Sequence, residues 1–131
     1  MANNKTFLVA DDEPVSVRML QRYLSRFGQC DIATDGHKAV EAFIESNKNG
    51  RHYDLIFMDI LMPTMNGFEA LSAIREKETV MRVKSKDAVK IIIMTGLGLS
   101  RETFNLHRTT CLDYLFKPFD VKIFTYYLQK T

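Results

Sequence analysis

The chain has 131 residues, enough for one domain with a real core, and its 46% hydrophobic and 26% charged content is ordinary for a soluble globular protein. A formal net charge of +2 is too small to imply a nucleic-acid or membrane partner. Cys30 and Cys111 have no metal-ligand spacing, no apolar stretch approaches membrane-spanning length, and residues 1–5 lack the apolar region of a signal peptide, so a cytoplasmic domain is expected.

Phe7 to Ala10 is a short apolar run that ends in Asp11-Asp12-Glu13. Pro14 then stands where a first helical turn would start, a place that tolerates its missing N–H. Val17, Leu20, Leu24 and Phe27 follow at helical spacing, with Gly28 expected to stop the helix. Cys30 to Thr34 reads as a second strand, and Asp35 as the cap of a helix carrying Val40, Phe43 and Ile44 and ending at Asn49-Gly50. Leu55 to Met58 is apolar throughout and stops at Asp59, with Pro63 four residues on. A short apolar run between turn signals predicts a strand buried on both faces.

Asn66 and Glu69 fit a capping pair for a third helix, with Phe68, Leu71 and Ile74 facing inward. From Lys77 to Lys90 the chain is polar and basic and predicts an extended helix end plus a loop. Ile91 to Met94 makes a fourth buried strand that ends at Thr95-Gly96. A helix is predicted over Ser100 to Thr110, a fifth strand over Tyr114 to Phe116, and a closing helix over Asp120 to Gln129 with Val121, Phe124 and Leu128 on one face. Five strands alternating with helices, with no repeat or linker, predict one α/β domain over residues 1–131, a parallel sheet covered on both faces.

Four of the five strands end in a functional polar group: Asp11 and Asp12, Asp59, Thr95 and Lys117. Parallel strands place all their carboxyl ends on one edge, so these groups can converge. Each has a plain structural explanation: Asp11 or Asp12 can cap the first helix, Thr95 can be an ordinary strand residue, and Lys117 can be a surface lysine. Their joint occurrence at corresponding strand ends argues for a site. Crowded carboxylates raise one another's pKa, and a hard divalent cation with oxygen-only ligation, Mg²⁺, relieves the repulsion. Acids, a metal and a lysine are the equipment for handling a phosphoryl group, with one carboxylate attacking phosphorus.

Asp11-Asp12, Met58-Asp59 with Met62-Pro63 and Asn66-Gly67, Thr95, and Tyr114 with Lys117-Pro118-Phe119 resemble the receiver domain of two-component response regulators, in the family's order and over nearly the whole chain. The resemblance implies a flavodoxin-like three-layer sandwich with strand order 2-1-3-4-5. It implies Asp59 as phosphoacceptor, with the phosphoryl group coming from a histidine kinase or a histidine phosphotransfer protein. It implies Mg²⁺ held by Asp12, Asp59 and the backbone carbonyl of Leu61, with Asp11 acting mainly through water. Lys117 would pair with phosphoryl oxygens beside a cis Pro118, Thr95 would hydrogen-bond the phosphate, and Tyr114 would rotate inward. Such a domain is a switch that catalyses its own phosphorylation and dephosphorylation, not a classical enzyme. It would be a monomer or a weak phosphorylation-dependent dimer, contacting neither nucleic acid nor membrane.

The chain departs from the family pattern in places. Gly96 stands where Ala is usual, and Leu61 and Leu97 stand where many relatives carry polar groups that position a hydrolytic water. Residues 77–90 are longer and more basic than usual, Thr110-Cys111-Leu112 replaces a small-residue turn, and the last helix is short. The alternatives are an aspartyl-phosphate phosphohydrolase or a degenerate receiver that only docks. The hydrolase class carries a second Asp two residues after its nucleophile, where this chain has Leu61, which cannot move a proton. The intact acids, Thr95 and Lys117 argue against degeneracy.

Overall fold

Each of the five apolar runs becomes a strand in the computed structural model, whose described residues are 4–96, 111–117, 120 and 122–129. The elements are β1 (Lys5–Ala10), α1 (Pro14–Leu24), β2 (Gly28–Ala33), α2 (Gly36–Lys48), β3 (Leu55–Asp59), α3 (Gly67–Val80), a 3₁₀ turn (Ser85–Asp87), β4 (Lys90–Thr95), β5 (Asp113–Phe116) and α4 (Lys122–Leu128). All pairings are parallel, and the order is β2-β1-β3-β4-β5. The expected three-layer α/β sandwich is therefore present. The helix predicted over Ser100 to Thr110, Leu97 and Pro118 lie outside the described residues.

The period of two in each strand sorts side chains onto two cores. Leu8, Ile56, Met58, Ile91 and Ile93 face Phe43 of α2 and Leu71 and Ile74 of α3. Phe7, Val9, Phe57, Ile92 and Met94 face Leu20 and Leu24 of α1 and Phe124 and Leu128 of α4. Phe57 and Phe124 meet edge to face, with centroids 4.9 Å apart. Each such side chain contributes about 1.5–3 kcal/mol by leaving water. The strands β1, β3 and β4 are buried on both faces, which is why they read as unbroken apolar runs.

The predicted caps hold for α2 and α3. Asp35 accepts from Lys38 N, and Asn66 and Glu69 form a reciprocal capping box. Pro14 opens α1 as expected, but Glu13 caps it through Val15 N and Ser16 N, leaving Asp11 and Asp12 for other work. Gly28 corrects an expectation: α1 ends at Leu24, and Gly28 opens β2 instead of stopping the helix. A Cβ there would lie 1.8 Å from the Lys5 carbonyl oxygen, so β1 and β2 can approach only over a glycine.

Candidate functional site: an acidic cleft at the carboxyl edge of the sheet

The strand order reverses direction between β1 and its two neighbours, β2 on one side and β3 on the other. Connections leave in opposite directions there, and a cleft opens at the carboxyl ends of β1 and β3. Asp11 and Asp12 follow β1, and Asp59 ends β3. Their carboxylate oxygens lie within 4.8 Å of one another. Lys117, immediately after β5, reaches in from the far side, with Nζ 2.9 Å from Asp11 Oδ2 and 3.5 Å from Asp59 Oδ2. Its position follows from pairing that continues past the strand ends: Ile60 N donates to Met94 O and Lys117 N to Thr95 O.

The three acids have different environments. Asp11 is fully buried and held on both oxygens, with Glu13 N donating to Oδ1 and Lys117 Nζ to Oδ2. Asp12 faces solvent. Asp59 is buried, and among the described residues no backbone N–H is bonded to its carboxylate. Burial and then the Asp11 charge push its pKa up to about 6, against the opposing pull of Lys117. For Lys117, burial pulls downward, but the hydrogen bond to Asp11 and the charges of Asp11 and Asp59 outweigh it and leave the ammonium above its ordinary value.

Thr95 ends β4 and is buried beside this group, and Leu61 stands at the rim, 57% exposed. The loop between β3 and α3 is clamped to the site by Gly67. Gly67 N donates to Ile60 O at 2.8 Å, and a Cβ at Gly67 would lie 2.2 Å from Asp59 O. Thr64 in the same loop adopts φ 65°, an uncommon conformation for a β-branched residue.

The donor set suits a hard divalent cation. It is made only of carboxylate oxygens, with no His or Cys, and one ligand faces solvent. Three carboxylates against one ammonium leave two negative charges to be neutralised. The cleft thus brings together Asp11, Asp12, Asp59, Thr95 and Lys117, as the sequence predicts. Asp11 also pairs directly with Lys117, a contact that the sequence does not predict. Tyr114 is already inward: its ring belongs to the core beneath α2 and α3, and the residue is only 7% exposed. Sequence reasoning missed the cap role of Glu13.

Fold and cleft together define an α/β domain with an aspartate cluster of a kind that could hold a metal ion at its topological switch point. The chain belongs to the response regulator receiver domain family, whose sequence model matches residues 7–128. That family is the phosphoacceptor module of two-component signalling. Among curated relatives, the transcriptional regulatory protein ResD of Bacillus subtilis is 34% identical over 118 residues, covering 89% of this chain and 43% of ResD. The hybrid signal transduction histidine kinase I of Dictyostelium discoideum is 32% identical over 117 residues, covering 88% of this chain and 6% of the kinase. The chain thus spans less than half the length of either relative.

Two solved structures give the same picture. The response regulator TrrA of Thermotoga maritima, in complex with Mg²⁺ and beryllium fluoride, superposes with a TM-score of 0.76 at 28% identity, covering 97% of this chain and 98% of TrrA. The receiver domain of the Pseudomonas aeruginosa sensor histidine kinase PA1611, with magnesium in its active-site cleft, gives 0.74 at 28% identity, covering 97% and 96%. Among the described residues no helix is long and apolar enough to cross a membrane.

Proposed function

We propose that Asp59 is the phosphoacceptor of a two-component switch, taking a phosphoryl group from a histidine kinase or a histidine phosphotransfer protein. The observation that carries the assignment is the contrast between the two buried acids. Asp11 is fixed by Glu13 N and by Lys117 at 2.9 Å, whereas Asp59 ends β3 with Lys117 at 3.5 Å and, among the described residues, no backbone donor to its carboxylate. The held acid positions, and the less restrained one attacks. An Asp59 oxygen forms a bond to phosphorus while the phosphorus–nitrogen bond of the donor histidine breaks, and its electron pair returns to the imidazole.

Asp11, Asp12, Asp59 and the Leu61 backbone carbonyl are the residues that would hold Mg²⁺, Asp11 mainly through water. When bound, Mg²⁺ supplies positive charge to the phosphoryl oxygens and relieves the repulsion among the acids. Lys117 lies 3.5 Å from Asp59 and supplies a second positive charge where the transferred group would sit. Thr95 offers its hydroxyl to the transferred group, and its rearrangement changes the surface that a downstream protein reads. Residues 1–131 act as one receiver domain.

The test is phosphorylation with acetyl phosphate and Mg²⁺, followed by intact mass. A gain of one phosphoryl group in the wild type and none in Asp59→Asn is the expected result. A persistent gain in Asp59→Asn overturns the assignment.

A further inference from the structure

The loop between β3 and α3 is tied at two places. Gly67 N donates to Ile60 O at 2.8 Å and closes its base. Its tip is held by α2: Gly36 N, at the first position of that helix, donates to Met65 O at 3.1 Å. Between the two ties the chain turns sharply. Met65 N donates to Pro63 O at 2.7 Å across Thr64, which stands at φ 65°. A three-residue turn around a positive φ is the rare, strained sense of that turn, and a β-branched side chain makes it costlier. Such a conformation persists only where its surroundings fix it. We propose that Gly36 is a positioning residue of the cleft: by holding Met65 O it keeps the strained turn closed and so fixes the segment whose Leu61 carbonyl is a Mg²⁺ ligand. This role rests on the Leu61 carbonyl being such a ligand.

The first turn of a helix leaves N–H groups without intrahelical partners. In α2 the Asp35 carboxylate takes Lys38 N, and Gly36 N is turned to Met65. The approach is possible only without a side chain. A Cβ on the buried Gly36 would lie 2.2 Å from Met65 O, 2.7 Å from Met65 Cβ and 2.8 Å from Met65 C. No rotamer change moves these atoms, so one of the two segments must shift. α2 is anchored by the buried Ala39 and Phe43, whereas Leu61, Pro63 and Thr64 are exposed. The loop therefore yields, and the Leu61 carbonyl moves with it. Where the ion and the Gly36–Met65 bond favour the same loop conformation, each strengthens the other by the same factor.

The experiment titrates Mg²⁺ into the wild type, Gly36→Ala and Ile74→Val, followed by backbone amide resonances. Ile74→Val trims a buried side chain of α3 and weakens the fold without touching the loop. Mg²⁺ affinity is expected to fall about tenfold in Gly36→Ala, the low end for a group that acts through a ligand, and to stay unchanged in Ile74→Val. A Gly36→Ala protein that binds Mg²⁺ as the wild type does overturns the role of Gly36 alone. An equal fall in Ile74→Val also overturns it, because general stability is then the cause. A wild type that takes up no Mg²⁺ removes the ion from the cleft, and this role with it. Amide hydrogen exchange in the wild type tests the same coupling without a substitution and so covers a Gly36→Ala that does not fold. Saturating Mg²⁺ should slow exchange at Gly36 N about tenfold more than at Lys38 N in the same helical turn. Equal slowing at both amides overturns the proposal.

Discussion

Lys117 Nζ lies 2.9 Å from Oδ2 of Asp11, a residue 106 positions earlier in the chain. Asp11 is fully buried, so its charge depends on this ammonium and on Glu13 N. Truncating one partner of a buried pair leaves the other uncompensated, at a cost of about 3–5 kcal/mol. Lys117 keeps some exposure, which discounts the cost of Lys117→Ala to below that range, about 2–3 kcal/mol. Mg²⁺ binding only to the folded chain should restore part of the loss. Urea unfolding with and without Mg²⁺ checks this, and a metal-free variant as stable as the wild type would refute it.

Gly67 and Gly96 make opposite predictions. A Cβ on Gly67 meets Asp59 O at 2.2 Å and Ile60 Cα at 2.9 Å, all backbone, so the end of β3 must shift. Gly67→Ala should cost about 1–3 kcal/mol as an overpacked site and weaken Mg²⁺ binding, because Asp59 moves with its backbone. Among the described residues, nothing lies within 4 Å of such a Cβ on Gly96. Gly96→Ala should be neutral or stabilise by about 0.4–1 kcal/mol through the unfolded state. Thermal unfolding and Mg²⁺ titration of both variants suffice, and equal behaviour of the two would contradict the geometry.

The domain should lose stability in alkali. Burial and then the Asp31 charge push the Cys30 thiol from 9.0 up to about 12. Burial also raises Tyr53 and Tyr127, helped by hydrogen bonds to Asp31 at 2.8 Å and Asp113 at 2.6 Å. As pH rises past the ordinary values of 9.0 and 10.0, the unfolded chain releases these protons first. It then binds fewer protons than the native state, so stability falls with pH; below pH 9.0 it is fully present. Tyr53→Phe combined with Tyr127→Phe should start lower, having lost two hydrogen bonds, but decline less steeply. Denaturant midpoints across this range give the answer, and parallel slopes would show that these tyrosines are not the titrating groups.

How much of this was legible in the sequence depends on whether a signal is local. Asp59 was plain because an apolar run stops at a carboxylate and a proline follows, and the capping pair Asn66 and Glu69 was plain for the same reason. The strand-end alignment of Asp11 and Lys117 could be inferred from parallel topology, but their direct ion pair could not, because no spacing rule spans that separation. Three consecutive acids are equivalent as caps in sequence; the extended backbone at Glu13, φ −91° and ψ 112°, selects it. Gly28 carries the same letter whether it ends a helix or admits a neighbouring strand, and only the Lys5 carbonyl decides. Tyr127 was left off the inner face of the last helix. It is buried because its hydroxyl reaches Asp113 across the β5–α4 junction.

If Asp59 is phosphorylated as proposed, Leu61 is predicted to govern how long the phosphoryl group lasts. Hydrolysis of an aspartyl phosphate needs a water aligned for in-line attack, and Leu61, two residues after Asp59, is the side chain expected beside that path. Leu61 is 57% exposed at the rim, so it is not held in the core and its apolar surface faces the solvent from which the water comes. It can neither donate to nor accept from that water. Leu61→Asn adds an amide that can do both, and its exposure means the change should hardly affect folding. Faster autodephosphorylation is expected, and a tenfold gain would correspond to about 1.4 kcal/mol in the barrier, a fair value for orienting one water. Leu61→Ala separates the two effects of the leucine. If bulk alone obstructs the water, Ala accelerates release as much as Asn; if positioning matters, Asn exceeds Ala. Phosphate release from the three phosphorylated proteins at saturating Mg²⁺ is the measurement. Equal rates in all three would show that Leu61 has no part in setting the lifetime.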